Sequence, residues 1–539
     1  MSVSPRLNWF ASVARFVLWA LFFGLLPGRM QAAEQHVAVR PPPGLYCNID
    51  DSTFFWNRDI PDGKAGALID RYIDIMADSG TTVLVCCVNA RRTNYRSKVW
   101  DAYWDGFDPN GPDDQPFLAP VPRDAVASYR KWVSNTQKVF TQGVDYPARM
   151  LARCRHDGLS PWISVRMNDC HLNDILNHPF HGSFWVKNPQ FFRKNCSGYF
   201  AHCLDYAHPE VRAYFQALLQ EVLDRYDMDG LELDFMREAY CFSGGQEAAG
   251  KPILTAWMRK IHALVQDAAT KRGHPIHLGV RVPSHPETAL GLGFDAITWA
   301  REGLIDMVVV TPRWATMEFD MPLERWRSLL GPAQVTLAGG LEILYRPCPN
   351  GPATPASPEL AKGAATAVFS RGADALYLFN YFQDSDPHAQ WPVPLYQKTL
   401  TTMSSLQTLT RESRTFGITY RDVTAPDEIY HAPLPAQGKE IVLPMRIGPL
   451  PSAQGRCEVS VEFAPLNGKP LSNAAISVNG KTGAVCRDVN RDNGKRLLTV
   501  FVPQTSLQGM PVHQIKITAQ DASASYRVER VELAIEKPK

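Results

Sequence analysis

The chain has 539 residues, 45% hydrophobic and 20% charged, with a formal net charge of +2. That length admits two or three domains with a large core. Near-neutral charge removes the electrostatic case for nucleic acid or an anionic membrane surface as partner.

At the N-terminus Arg6 and Arg15 precede the apolar run 16–26, then a Pro-Gly break and "MQAAEQ". A basic start, a short apolar middle and small exit residues have the layout of a secretory signal over 1–33, with cleavage near Ala33. An uncleaved anchor is the alternative, because Met30 suits the cleavage site poorly. The run is short for a membrane span. Export to the periplasm or beyond the bacterial cell is therefore expected, with no stable span after processing. Eleven cysteines are an odd number. Export permits disulfides, and Cys457 with Cys486, or Cys196 with Cys203, are candidate pairs. Cys47, Cys86 and Cys87 sit on apolar runs and read as small buried hydrophobes. No CxxC pair has zinc spacing.

After "VRPPPG" a rhythm begins. Short β-rich runs fall at 45–49, 82–88, 162–167, 231–235, 278–282, 307–311, 335–338 and 375–379. Helical patterns lie between them, clearest at 209–226 and 254–271. Strands alternating with helices imply parallel βαβ units. Eight units over 41–405 fit an α/β fold of the (β/α)8 TIM-barrel type. Side-chain parity agrees. In "WISVRMND" Ile163, Val165 and Met167 oppose Ser164, Arg166 and Asn168; in "DGLELDFMRE" Leu231, Leu233 and Phe235 oppose Glu232 and Asp234. A barrel strand turns its greasy set outward to the helices. The inward set becomes polar toward each strand's C-terminal end, where active sites of this fold sit. From 410 to 539 helical periodicity disappears. Short β-rich runs separated by Gly, Pro, Asn and Asp predict an all-β accessory domain of sandwich type.

Parity then nominates a site. Strand four brings Glu232 inward, with Asp234 one layer higher. Arg166 and Arg281 on the flanking strands point inward at similar depth, so Glu232 is expected to pair with them in a structural polar layer, leaving Asp234 free to face substrate. Glycosidic chemistry uses two carboxyl groups, one protonating the leaving oxygen while the other attacks or activates water. Glu342, ending strand seven after the small run "AGG", is the preferred partner as acid, with Asp234 as nucleophile or base. Glu238, Asp169, Asp50 and Asp51 compete, and a capping or salt-bridging role is the bland alternative for each. Asn168, Asp169, His171, Arg237, Arg281, Arg313 and Trp314 are expected to line a sugar pocket. Arginines at strand ends suit carboxylates or sulfates on a sugar, and equally suit internal pairing with the acids.

The loop after strand three gathers His171, His178 and His181, with His202 and His208 beyond, but shows no HxH or HExxH spacing. Its aromatics, Phe180, Phe184, Trp185, Phe191, Phe192 and Tyr199, read either as sugar-stacking faces or as the loop's own small core. Neither GxSxG nor GxxxxGK[ST] occurs, so serine-hydrolase and NTPase chemistry lose their sequence support. No cofactor is required. Two rivals remain open: a barrel that binds glycans without cleaving them, and a metal-dependent hydrolase using the loop histidines.

"LDYAHPEVRAYFQALLQEVLDRYDMDGLELDFMR" (204–237) resembles bacterial glycosyl-hydrolase-like barrel proteins, in which a line such as "HPEVR…YDVDGIxLDxxR" leads a helix into strand four. "ISVRMNDCH" and "GADALYLFNY" are similar to their third and eighth strands. The resemblance covers most of 41–405 and implies hydrolysis of a glycosidic bond in an oligo- or polysaccharide. More distantly, the alpha-galactosidase and alpha-amylase clans place a nucleophilic Asp at the end of strand four, the position of Asp234. Family 18 chitinases carry DGxDxDxE there. This chain matches at Asp229, Gly230 and Asp234, but has Glu232 for an Asp and Met236 where the catalytic Glu stands, which puts chitinase chemistry in doubt.

Overall fold

The alternation of apolar and polar residues in the eight runs is resolved, in a computed structural model, by a closed ring. The strands are β1 (Gly44–Ile49), β2 (Thr81–Cys87), β3 (Ser160–Arg166), β4 (Gly230–Asp234), β5 (His277–Pro283), β6 (Met307–Thr311), β7 (Thr336–Glu342) and β8 (Ala375–Phe379). Each pairs in parallel with its neighbours in sequence, and β1 pairs with β8 to close the barrel. The structure describes residues 40–50, 52–56, 58–381, 383, 391–451, 455–465, 473–491, 494–520 and 526–537. The expected signal segment 1–33 and Asp51 lie outside them. No helix among the described residues is long and apolar enough to cross a membrane.

Register stacks the inward residues in layers. Trp162 sits level with Gly230 on β4, and its indole takes the space that side chains at Gly230 and Gly279 would occupy. A Cβ on Gly230 would lie 2.2 Å from the indole, and one on Gly279 2.9 Å. Tyr46, Val83, Val85, Met307, Val309 and Ala338 complete this apolar floor. Ser164, Glu232 and Gly279 share the next level, and Arg166, Asp234 and Arg281 the one above. Leu231 and Leu233 point the other way and are fully buried. Among the helices outside are Pro209–Arg225 and Glu247–Arg272. The first opens on Pro209 with Glu210 in its first turn, as helix starts favour. The second begins earlier than the sequence suggested, running through Pro252, and stops at Gly273 in the left-handed region (φ 78°).

β7 is longer than its apolar run implied. Gly339 and Gly340, beyond the apolar run at 335–338, are both inside the strand. A Cβ on Gly339 would press on Val368 at 2.6 Å, and one on Gly340 on Thr311 at 2.4 Å. The glycines allow close approach on both faces and carry the strand through to Glu342.

The C-terminal region forms two antiparallel sheets. In the larger, Arg414–Gly417, Tyr526–Ile535, Cys457–Ala464, Arg496–Val502 and Ala484–Asn490 lie side by side, with Ala436–Gly438 also paired to Tyr526–Ile535. The smaller holds Glu440–Met445, His513–Ala519, Ala474–Val478 and Lys481–Thr482. Residues 40–539 pack as one compact unit. Strand Arg414–Gly417 lies on barrel helix Pro358–Ser370 so closely that a Cβ on Gly363 would fall 1.9 Å from the Thr415 carbonyl oxygen.

Neither candidate disulfide is formed, and all eleven cysteines are free. Cys457 points into the core, whereas Cys486 is exposed, two strands away, with its Sγ 3.8 Å from Glu458 Oε1 on the outer face. Cys203 is buried beside Cys170, while Cys196 is only partly covered.

Candidate active site

Where β4 ends the chain turns sharply, and Asp234 holds the turn. Its Oδ1 accepts the backbone N–H groups of Met236 (2.9 Å) and Arg237 (3.0 Å). Arg281, its register partner on β5, reaches the same carboxylate from Nη1 at 3.2 Å and stands with Nη2 3.6 Å from Glu342 Oε1 on β7. The guanidinium lies flat near Phe379, 3.9 Å from the ring centroid. The two acids nominated by parity are therefore bridged by one arginine.

Their environments differ. Glu342 is fully buried. Burial pushes its carboxyl up to about 8, against the pull of Arg281, of Arg237 and of the 3.2 Å hydrogen bond from Asn380 Nδ2. Asp234 is also sealed, 1% exposed, with two amide donors and a guanidinium around its charge.

Glu232 is not held by arginine as the sequence suggested. Its Oε1 accepts from the hydroxyls of Ser164 (2.8 Å) and Tyr377 (2.9 Å), with Asn48 Nδ2 at 3.5 Å. Burial first, and then the charge of Asp234, raise it to about 7. Arg166 instead pairs with Asp50 at 2.7 Å and Asp169 at 3.1 Å. The reason is height: Arg166 is level with Asp234, one layer above Glu232, and its long side chain reaches up to the rim.

Asp169 anchors the rim. Burial alone would raise its pKa. His171, Arg166 and Arg237 more than offset that and hold it well below the usual carboxylate range. His171 Nδ1 donates to Asp169 at 2.8 Å, while its Nε2 accepts from Arg237 Nη2 at 2.5 Å. These two partners assign the tautomer with the proton on Nδ1. Arg313 on the loop after β6 is forked onto buried Glu238 at 2.8 and 3.1 Å. The backbone N–H groups of Arg313, Trp314 and Ala315 all donate to Asp422, at 2.8–2.9 Å.

Above this network opens a cavity of about 810 Å³. His171, Arg237, Arg313 and Trp314 line it, together with Asp50, Tyr199, Trp56 and Asn380. Trp314 is 40% exposed and Tyr199 45%, leaving apolar ring faces available to a sugar. Five expectations need correction. Asp234, Glu342, Asp169 and Arg281 do not form the wall; they lie one layer beneath it, and Asp234 is not free. Asn168 is a brace: its Nδ2 donates to the Leu204 and Tyr240 carbonyls and its Oδ1 accepts from Leu204 N, tying the loops after β3 and β4 together.

Other loop residues build the loop's own core. His181 stacks on Trp185 (4.1 Å) and Phe184 on Tyr214 (3.9 Å). Burial lowers His178 to about 4 and His181 to about 3, so both are neutral at pH 7. Among the described residues no group of three or more His, Cys, Asp or Glu side chains is placed to hold a metal.

The sequence reading missed Asn380 and Asp422. Asn380 follows the inward Phe379 and adopts φ 60°, so strand parity does not predict that it faces the cavity. Such left-handed non-glycine residues cost energy and cluster at functional sites. Leu172, next to His171, is another, at φ 58°.

The closed parallel barrel thus carries paired buried carboxyls under an aromatic and basic mouth. Residues 124–350 match the family described as Glycosyl hydrolase-like 10. Similar solved structures include alpha-L-fucosidase isoenzyme 2 from Paenibacillus thiaminolyticus, 12% identical with a TM-score of 0.40, covering 67% of this chain and 48% of that one. The chain thus spans about half of that enzyme's length. The PgaB (BpsB) glycoside hydrolase domain from Bordetella bronchiseptica is 11% identical, TM-score 0.39, covering 68% and 99%. An alpha-amylase from Lactobacillus plantarum is 12% identical, TM-score 0.34, covering 85% and 98%. No curated protein matches the chain.

Proposed function

We propose that the barrel mouth hydrolyses a glycosidic bond of an oligo- or polysaccharide. Glu342 is the proton donor and Asp234 the nucleophile or base. In that reaction the Glu342 proton passes to the leaving glycosidic oxygen as its bond to the anomeric carbon breaks. The Asp234 carboxylate attacks that carbon, or takes a proton from the attacking water. The observation that carries the reading is the contrast across Arg281: one carboxyl kept protonated by burial, the other accepting two backbone N–H bonds beside the guanidinium. Both acids are sealed beneath the cavity wall, so access of substrate to them requires that wall to open. A panel of plant, algal and bacterial polysaccharides, assayed for new reducing ends, tests this with wild type, Glu342→Gln and Asp234→Asn. Cleavage by wild type, with losses of at least 100-fold in both variants, is expected.

A second reading, a barrel that binds glycans without cutting them, is favoured by the sealing of both acids and by the two backbone donors on Asp234 Oδ1. Binding of a polysaccharide by wild type and both variants alike, with no cleavage by any of them, would select it. Retention on the exported side of a bacterial membrane is part of the same proposal, and fractionation of producing cells tests it.

A further inference from the structure

Arg237 has the least complete bonding in the cavity wall. Only 8% of it is exposed. Nη2 donates to His171 Nε2. Nε stands 3.8 Å from Asp169 Oδ2, beyond hydrogen-bond range, and neither Nε nor Nη1 has an acceptor among the described residues. Its counter-charge is also shared, because Asp169 serves Arg166 at 3.1 Å and accepts from His171 at 2.8 Å. Neighbouring charges offer no relief. Asp50 is taken by Arg166, Glu238 by Arg313, and Asp234 by Arg281. Glu342, the remaining nearby acid, is held largely neutral by burial at pH 7.

A guanidinium in a cavity wall with two buried N–H groups that lack acceptors, which a small side-chain rotation would turn to a ligand, is matched by an oxyanion, which supplies both acceptors and charge. A neutral sugar hydroxyl supplies only the first. We infer that the cavity receives a sugar bearing a carboxylate or sulfate group, and that Arg237 is the residue that reads it. This rests on the glycan-site reading above but not on hydrolysis.

Binding measured by calorimetry separates the two sources of negative charge. The probes are oligogalacturonate and its methyl ester, and chondroitin sulfate oligosaccharide and its desulfated form, each titrated into wild type, Arg237→Gln and Arg237→Lys at low and moderate salt. We expect one anionic ligand to bind wild type at least 10-fold more tightly than its neutral counterpart, with an advantage that shrinks as salt rises. Arg237→Gln should cost the anionic ligand at least 10-fold more affinity than it costs the neutral one, and Arg237→Lys should restore part of that difference. Matching thermal melts exclude misfolding as the cause. Equal binding of charged and neutral forms, equal loss of both in Arg237→Gln, or no binding of any anionic probe at millimolar concentration overturns the inference. Arg237-dependent anion preference without cleavage would leave it standing and remove the hydrolase reading.

Discussion

Glu342 couples chemistry to stability through one proton. Its pKa rises from an ordinary value of 4.5 to about 8 in the folded barrel. Below about pH 4.5 both folded and unfolded chains hold the proton, and above about 8 both release it. Between those limits the folded state binds more protons, so its stability falls as pH rises across the window, by an amount on the order of a few kcal/mol. Glu342→Gln removes the penalty. Its melting temperature should exceed that of wild type at pH 9 by clearly more than at pH 5, a comparison that calorimetry makes without any substrate. If Glu342 is the proton donor, kcat/KM should also decline on the alkaline side with an apparent pKa near 8, and that limb should vanish in the variant. Parity in "VTLAGGLE" was enough to turn Glu342 inward. It could not give depth. Asn168 passed the same test and Asp169 was nominated beside it, yet one became a loop brace and the other a buried anchor for three basic groups. Those outcomes depend on backbone carbonyls and side chains supplied by Leu204, Tyr240 and Arg237, whose proximity no local pattern encodes.

At the level of strands, the barrel floor depends on two missing side chains. Gly230 and Gly279 on adjacent strands make room for the Trp162 indole, and the inward polar layers are stacked on that floor. Gly230→Ala places a methyl group where the ring now lies. Overpacking of a tight core costs about 1–3 kcal/mol, more if the ring cannot shift, and urea unfolding should register that loss. The same shift would tilt Ser164, level with Glu232, so a variant that still folds should bind ligand less well. All eight strands were readable from their apolar faces, as were the helices flanking β4. The apolar run 335–338 falls short of β7 because Gly339 and Gly340 bring no side chain of their own to extend it; Val368 and Thr311 fill their places.

Over the molecule as a whole, the C-terminal sheets do more than adjoin the barrel. Asp422, from the segment entering them, accepts three consecutive backbone N–H groups of the loop that presents Arg313 and Trp314. Charge-assisted bonds of this kind are worth roughly 1.5–3 kcal/mol each before solvent screening. Asp422→Ala should therefore speed hydrogen exchange at amides 313–315 by at least tenfold, with little change at β4 or β5. The sequence reading separated the two regions by composition and had no means of joining them, since the contact spans more than a hundred residues and involves an aspartate in an unremarkable turn. The shared wall changes how a shortened gene product should be interpreted. A barrel expressed without its tail would keep every acid and arginine beneath the mouth yet lose the clamp on one side of the opening. Silence from such a fragment would point to slack in the entrance, and would say nothing against the chemistry below it.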